Sequence, residues 1–170
     1  MTNPTSFVAV LMGSDSDLPV MQATLDVLTQ LGVAHEVRIT SAHRTPDATR
    51  AYVQEADQRG CDVFIAAAGM AAHLAGAVAA HTLKPVLGVP LDASSLQGMD
   101  ALLSTVQMPG GIPVGCLAVG KAGAKNAGYL AAQILSINDP VLAQKLRADR
   151  AKTADEVIRK NAELQTKLAV

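Results

Sequence analysis

A histidine and an arginine stand side by side in the segment VRITSAHRTPD, residues 37 to 47. Alternating apolar residues predict a strand before the pair, and Pro46 followed by Asp47 predicts the start of a helix after it. His43 and Arg44 therefore fall in the connecting loop. An imidazole titrates near neutral pH and suits proton transfer, whereas a guanidinium offers planar donors to a phosphate. The pair predicts acid–base chemistry beside an anion site, the alternative being a bystander histidine in a surface loop.

A second polar cluster, GSDSDLP at residues 13 to 19, follows another predicted strand. Gly13 permits a tight turn, and residues 14 to 17 would present hydroxyls, carboxylates and backbone N–H groups at the start of a helix. Such a setting suits a phosphate and the hydroxyls of a ribose. Because serine and aspartate are also ordinary helix N-caps, a purely structural role is the alternative for Ser14 and Asp17.

A third segment, AAAGMAAHLAG at residues 66 to 76, has no aspartate, cysteine or lysine where its strand should end. It offers backbone N–H groups and a pocket walled by small residues. The pattern MAAHLAGAVAAHT at 70 to 82 predicts a helix with His73 inside it, where a histidine either packs or supports a catalytic neighbour. Nearly every face of this helix carries alanine or glycine, so another backbone can approach it closely, either against the sheet or at a subunit interface.

Strand and helix patterns alternate along the chain, and this alternation predicts the architecture that positions the three clusters. Apolar residues spaced three to four apart predict helices after the first two strands. The expected fold is α/β with three layers, α/β/α, around a doubly wound parallel five-stranded sheet of flavodoxin-like order. A barrel of eight β/α units would need about 250 residues. The predicted strands are FVAVLMG at 7 to 13, HEVRITS at 35 to 41, DVFIAAAG at 62 to 69, PVLGVP at 85 to 90 and VGCLAVG at 114 to 120.

The last part of the chain, about residues 138 to 170, predicts a charged amphipathic helix with Asp139 as its N-cap and Pro140 in its first turn. Its apolar stripe must pack on the body or on a neighbouring subunit. We expect one catalytic domain over residues 1 to 170, with this helix as a C-terminal extension. The stripe consists of Val141, Leu142, Leu146, Val157 and Ile158.

Composition narrows the function further. The 170 residues are 49% hydrophobic and 17% charged with a net charge of -1, which predicts one soluble domain and gives no electrostatic footprint for nucleic acid. No apolar run is long enough for a membrane span, and the N-terminus does not resemble a signal peptide, so we expect a cytoplasmic protein without a membrane partner. The spacing of Cys61 and Cys116 predicts core residues and neither a disulfide nor a zinc site.

Six motifs occur in an order that closely resembles the PurE family of purine biosynthesis, over about residues 7 to 137. They are GSDSD, SAHRTPD, AAGMAAHLAG, PVLGVP, LLSTVQMPGGIPVG and GKAGAKNA. The resemblance implies conversion of 5-(carboxyamino)imidazole ribonucleotide to 4-carboxy-5-aminoimidazole ribonucleotide, with no cofactor: no metal, biotin or ATP. It also implies a homo-octamer with sites shared between subunits, and an ATP-dependent carboxyaminoimidazole ribonucleotide synthase as the functional partner.

The resemblance also assigns roles to residues. It implies that His43 moves the proton at the imidazole carbon, that Ser14 and Arg44 hold the substrate phosphate, and that Asp17 holds the ribose. The implied mechanism is decarboxylation in place, trapping of CO2 in a small dry pocket, and attack on it by the ring carbon. Further substrate-binding residues are expected at Ser41, Gly69, Ala72 and His73.

The chain departs from the commoner family pattern at three positions. Met70 stands where a glycine is more usual, Leu18 where a tryptophan often occurs, and Gly110 where an arginine often follows MP. These departures affect affinity and loop behaviour more than the type of reaction. A related carboxylase that uses aminoimidazole ribonucleotide and free CO2 is the closest rival. A signalling receiver would need an aspartate at the tip of the third strand, where Ala68 and Gly69 stand.

Overall fold

The computed structural model of the protein describes residues 6–169. The elements alternate as the sequence predicts, and a 3-10 turn, Asp15–Asp17, precedes the first helix. The strands are β1 Phe7–Met12, β2 His35–Ile39, β3 Cys61–Gly69, β4 Val86–Leu91 and β5 Gly115–Cys116; the helices are α1 Leu18–Leu31, α2 Pro46–Gln58, α3 Leu74–Ala79, α4 Met99–Val106, α5 Lys121–Leu135 and α6 Pro140–Leu168.

The five strands form one parallel sheet in the order β2-β1-β3-β4-β5, which confirms the predicted flavodoxin-like topology. The order reverses between β1 and β3, since the chain leaves β1 toward one edge and later returns to the other. In such sheets ligands bind beyond the carboxyl ends of the strands at the point of reversal. The loops that follow β1, β2 and β3 therefore meet in one place.

Helices cover both faces of the sheet, so every residue of β1 and β4 is buried. In β1, Val8, Val10 and Met12 face α1 and α5, whereas Phe7, Ala9 and Leu11 face α2 and α3. Helix α1 packs on α5 at Gly128, where an added Cβ would lie 3.1 Å from the carbonyl oxygen of Thr24. The absent side chain lets the two helix backbones approach closely.

Strand β5 is shorter than the predicted strand at 114 to 120, because the adjacent strand β4 cannot continue the hydrogen-bond pairing beyond Pro90. Only Gly115 and Cys116 pair with β4. The backbone stays alongside, since the N–H of Leu117 donates to Gly88 and that of Gly120 donates to Pro90, both at 2.9 Å. Pro90 has no N–H to return, so the pairing of this edge ends there.

Helix α3 is also shorter than predicted, spanning Leu74–Ala79 and not residues 70 to 82. The chain first makes a turn in which Met70 adopts φ 58°, a left-handed conformation that no helix continues. His73 is consequently the N-cap of α3 and does not lie inside it. Leu74, Ala75 and Val78 bury one face of the helix against the sheet, as one of the two predicted packing modes requires.

Helix α6 begins as predicted, since the side chain of Asp139 accepts hydrogen bonds from the N–H groups of Val141 and Leu142 at 2.9 and 3.0 Å. Leu142 joins the core and Leu146 packs against it. Val157 and Ile158 are 64% and 66% exposed. The apolar stripe therefore packs on the body only over its first two turns, and its remainder faces outward in the single chain.

Candidate active site

A cleft of about 510 Å³ lies at the carboxyl ends of β1, β2, β3 and β4. Seven of the eight predicted site residues line it, although they come from three separate loops. The eighth, Ala72, is 2% exposed and does not line the cleft, so it offers no surface to a ligand. The seven are Ser14, Asp17, Ser41, His43, Arg44, Gly69 and His73.

The turn after β1 is held by a reciprocal capping box. The N–H of Ser14 donates to the carboxylate of Asp17 at 3.0 Å, and the N–H of Ser16 donates to the hydroxyl of Ser14 at 3.2 Å. The structural alternative for these residues is thus realised, but it does not remove them from the cleft. Both side chains line the opening while they hold its first wall in place.

Asp17 is the buried carboxylate of this wall, with 8% of its surface exposed. Burial raises its pKa above the ordinary value because the charged form loses hydration, and the N–H of Ser14 partly offsets the rise by donating to the carboxylate. One of its oxygens, Oδ2, is already engaged by that N–H. The other is the acceptor that a ligand hydroxyl could use.

The loop after β2 is braced by Ser41 and Thr45. The N–H of Ser41 donates to the hydroxyl of Thr45 at 2.9 Å, and the N–H of Arg44 donates to the hydroxyl of Ser41 at 3.1 Å. Thr49, in the first turns of α2, adds a hydroxyl contact of 2.6 Å to Thr40 beneath the loop. These bonds tie both ends of the loop to its own backbone, so the loop presents His43 and Arg44 in a defined conformation.

Arg44 spans from the second loop to the first. Its Nη2 donates to the carbonyl oxygen of Gly13 at 3.0 Å, and no carboxylate forms an ion pair with it among residues 6–169. The guanidinium has five N–H groups in a planar fork. Its remaining donors are therefore available to an anion beside Ser14.

His43 contacts the other histidine of the cleft. Its Nε2 lies 2.8 Å from Nδ1 of His73, and the two rings meet edge to face with centroids 4.9 Å apart. One of the two nitrogens must donate and the other accept, so the bond links the tautomers of the two rings. The turn that places His73 before α3, and not inside it, brings it within reach of His43.

The floor of the cleft is made of small residues at the tips of β3 and β4. An added Cβ at Gly69 would lie 3.0 Å from the Cβ of Ala93, so a larger residue would require Ala93, just beyond β4, to shift by a few tenths of an ångström. Ala93 also lines the cleft, and sequence reasoning missed it because alanine carries no chemical signal. Its place just after a predicted strand was the one signal that could have found it.

The second strand and second helix are clamped together behind the loop that carries His43. Arg59 at the end of α2 donates to both carboxylate oxygens of Glu36 in β2, at 2.6 and 2.8 Å, and the hydroxyl of Tyr52 donates to the same group at 3.1 Å. Hydrogen bonding from Arg59 holds the pKa of Glu36 down at about 2. This network holds β2 and α2 together, and the loop that carries His43 connects these two elements.

Metal-binding clusters and membrane-spanning helices are not found in the part of the chain that the structure describes. No group of three or more histidine, cysteine or acidic residues within residues 6–169 has the geometry to hold a metal ion. Across the same residues, none of the helices combines the length and apolarity needed to cross a bilayer. Cys61 is a buried core residue, as predicted, and burial raises its thiol pKa to about 12; Cys116 is half-buried.

A larger groove of about 820 Å³ runs between α5 and α6. Its polar groups include Tyr129 and Asp149, which bond to each other at 2.7 Å. Further polar and charged side chains line it together with apolar ones such as Leu130 and Val157. No histidine lines this groove, whereas two histidines and an arginine line the cleft at the strand ends, so that cleft is the candidate active site.

Comparisons with known proteins agree with this architecture. A family model described as AIR carboxylase matches residues 7–156. The N5-carboxyaminoimidazole ribonucleotide mutase of Synechocystis sp. is 52% identical over 165 residues, covering 97% of this chain and 93% of the relative. The mutase of the same name from Escherichia coli is 51% identical over 156 residues, covering 92% of each chain.

A solved structure with the same fold supports the match. The crystal structure of a PurE2 variant from Treponema denticola superposes with a TM-score of 0.86 at 27% identity, covering 94% of this chain and 98% of that one. The motifs that resemble the PurE family thus lie within a chain whose sequence matches over nearly its whole length. Since the family model and both relatives span most of these residues, the protein belongs to the AIR carboxylase family, as a member of its PurE group.

Proposed function

We propose that this protein is an ATP-independent mutase of purine biosynthesis that converts 5-(carboxyamino)imidazole ribonucleotide to 4-carboxy-5-aminoimidazole ribonucleotide. The observation that carries the proposal is the hydrogen-bonded histidine pair beside an arginine that forms no ion pair within residues 6–169, all lining one cleft with a small-residue floor. The curated relatives that are about half identical to this chain are mutases by name.

The reaction needs one group that both donates and accepts a proton. In the first step the bond between nitrogen and the carboxyl carbon breaks, CO2 leaves, and the nitrogen takes a proton. In the second step the ring carbon attacks CO2, a carbon–carbon bond forms, and that ring carbon loses its proton. The proton consumed at nitrogen equals the proton released at carbon. A single residue, His43, balances both steps as acid and then base.

His73 has the geometry of a positioning residue for His43. A hydrogen bond of 2.8 Å orients the ring of His43 and decides which of its nitrogens carries hydrogen. While that bond stands, the other ring nitrogen of His43 is the one presented to substrate. When His43 takes up a proton, His73 can accept a hydrogen bond from it and so stabilise the charged ring.

The remaining polar groups would bind the nucleotide. Arg44 and Ser14 lie on facing loops joined by the bond from Arg44 to Gly13, a setting that suits a phosphate. The free oxygen of Asp17 would accept from a ribose hydroxyl. Ser41, whose hydroxyl and N–H are engaged in bracing the loop, would contribute mainly by shaping the wall.

A carboxylase that joins free CO2 to aminoimidazole ribonucleotide is the second candidate, because the matching family model is described as AIR carboxylase. The two relatives reported above favour the mutase, since both carry that name. The discriminating assay supplies purified protein with 5-(carboxyamino)imidazole ribonucleotide, without ATP or bicarbonate, and follows the carbon-carboxylated product against spontaneous decay of the substrate. We expect rapid conversion. Product formed only from aminoimidazole ribonucleotide and added CO2 would establish the carboxylase instead.

We further propose a homo-octamer with sites shared between subunits, working in the cytoplasm downstream of an ATP-dependent carboxyaminoimidazole ribonucleotide synthase. The whole chain, residues 1 to 170, would form a single catalytic domain, with residues 138 to 170 as its C-terminal extension. Support comes from α6, whose exposed Val157 and Ile158 have no covering element within residues 6–169. The groove between α5 and α6, which Val157 also lines, extends this surface, and another subunit could fill it.

A further inference from the structure

Met70 occupies an unusual place in the molecule. It directly follows β3, lines the cleft and is 62% exposed. Its φ of 58° puts it in the left-handed region, and among the non-glycine residues of the described chain only Gln97 shares that feature. Met70 alone of these two lies in the candidate active site.

The backbone at this position disfavours any side chain. For an L-residue the left-handed conformation brings Cβ close to the following carbonyl oxygen. Asparagine and aspartate relieve this cost by bonding to their own backbone, which a thioether cannot do. Local strain of this kind persists where the surrounding structure imposes it, and it concentrates at ligand sites. The question is what the methionine side chain supplies there that glycine would not.

The other apolar residues of the cleft are either smaller than Met70 or buried. Its apolar lining consists of glycines, alanines, Met70 and Leu74, and Leu74 is only 2% exposed. Met70 is therefore the one long apolar side chain of this lining that is free to move. Its thioether is polarisable, packs well on aromatic rings and turns about three single bonds.

We propose that Met70 is a movable apolar cover that folds over the heteroaromatic ring of the bound substrate and keeps the released CO2 in the cleft. The inference rests on the proposed function, since it assigns a residue to the interval between decarboxylation and recarboxylation. During that interval CO2 is a small neutral molecule, held by no bond, that water would hydrate or carry away. The small-residue floor leaves room for it, and the methionine would close the open side.

The test follows the fate of the carboxyl group. Substrate labelled with carbon-13 in its carboxyl group is converted in buffer that contains unlabelled bicarbonate, and the label retained in the product is measured by mass spectrometry. We expect the parent protein to retain most of the label and Met70→Ala to lose it at least about 3-fold faster per turnover. Met70→Leu should restore retention, because it rebuilds an apolar cover on the same backbone conformation.

Three results would overturn the inference: equal retention by Met70→Ala and the parent, loss of all label by the parent, or failure of Met70→Leu to recover retention. Because Met70 is exposed, all three proteins should fold, and their melting temperatures verify this. A parent that makes no product from the labelled substrate would refute the proposed function itself. A parent that makes product with retention unaffected by Met70→Ala would refute only the role of Met70. Calorimetric binding of the product gives a second readout, with affinity about 3-fold to 10-fold weaker in Met70→Ala.

Discussion

At the scale of single residues, His43 and Arg44 are adjacent in the loop after β2 but form hydrogen bonds of different kinds. His43 is bound to another titratable ring, that of His73, whereas Arg44 is bound to the backbone carbonyl of Gly13. A contact between two imidazoles can change when a proton moves, but a contact to a peptide carbonyl cannot. The first arrangement suits proton transfer and the second suits fixed binding, so substitutions at the two positions should have separable effects.

Replacing His43 by asparagine should reduce turnover by roughly 100-fold to 10,000-fold, the usual contribution of a general acid–base group. Binding of the nucleotide should stay within about 3-fold of the parent, because the arginine and the turn after β1 are untouched. Steady-state kinetics and calorimetry measure the two quantities. His81→Asn is the matched control, since His81 lies beyond α3 and does not line the cleft. Normal turnover in His43→Asn would remove this residue from the mechanism.

Replacing Arg44 by lysine should weaken nucleotide binding by about 1 to 3 kcal/mol, because an ammonium cannot bond to Gly13 and grip a phosphate with a planar fork at once. The dissociation constant of the product, measured by calorimetry at fixed ionic strength, tests this. Arg50→Lys, on the exposed side of α2, provides the matched control. An unchanged constant in Arg44→Lys would place the phosphate elsewhere.

At the scale of elements, glycines in α5 and β4 allow close packing. The hydrogen bonds of Glu36 with Arg59 and Tyr52 join β2 to α2. An added Cβ at Gly123, in α5, would overlap the carbonyl group of Ala118, and one at Gly88, in β4, would overlap the methyl group of Thr105. Backbone cannot rotate out of the way, whereas the Thr105 side chain can in part. The two contacts therefore predict different costs for the same substitution.

Gly123→Ala should destabilise the protein by about 2 kcal/mol or more, since overpacking against backbone exceeds the roughly 1 kcal/mol that alanine gains over glycine in a helix. Gly88→Ala should cost less than Gly123→Ala. Gly110→Ala is the control, because an added Cβ there meets no atom within 4 Å, and it should lie within about 0.5 kcal/mol of the parent. Urea titrations at one protein concentration measure all three. A Gly123→Ala protein as stable as the control would show that α5 can move away from the loop at 118.

The clamp between β2 and α2 predicts a pH-dependent contribution to stability. Hydrogen bonding from Arg59 lowers the pKa of Glu36 from its ordinary 4.5 to about 2 in the folded protein. A carboxylate with a depressed folded pKa stabilises the fold above its unfolded pKa and loses that contribution as pH falls through the folded value. Glu36→Gln should therefore lower the melting temperature by about 2 °C near neutral pH.

The difference between the parent and Glu36→Gln should shrink between about pH 5 and about pH 2, the interval set by the two pKa values. Thermal scans over that range measure it. Glu163→Gln serves as the control, because Glu163 pairs with Arg159 on the exposed part of α6, far from the sheet. A difference that stays constant from neutral to acid pH would mean that Glu36 acts through packing and not through charge.

At the scale of the whole molecule, the long helix α6 is the element whose apolar side chains stay largely exposed in a single chain. Its first turns join the core through Leu142, but every residue from 151 to 169 is exposed. In proteins most of the stability of a helix comes from the packing of an apolar face. The exposed apolar side chains of α6 therefore support the proposed assembly.

Light scattering coupled to gel filtration should give the parent protein a mass of eight chains of 17.5 kDa. Ile158→Glu places a charge in the middle of the exposed stripe, so it should shift the protein toward smaller species. Lys160→Glu, on the same exposed stretch of α6, is the control for a change of charge alone. A parent that elutes as a monomer would refute the octamer, and an Ile158→Glu octamer would remove α6 from its interfaces.

The sequence by itself determined what depends on neighbours along the chain. The continuous apolar run of β1 indicates burial on both of its faces, and the pair Asp139 and Pro140 sets where α6 begins. Because parallel strands bring their carboxyl ends to one edge, local patterns were enough to place His43, Arg44 and Ser14 in one cleft. These features need only periodicity, capping chemistry and the handedness of the crossovers.

Tertiary structure alone decided what depends on partners distant in sequence. The bond between His43 and His73 joins residues 30 positions apart. Strand β5 ends early because Pro90, in the adjacent strand, cannot donate. The left-handed turn at Met70 shortens α3, moves His73 to the N-cap and leaves Ala72 buried. The first two outcomes depend on a residue in another element, and the third depends on a left-handed turn that the propensity of methionine does not predict.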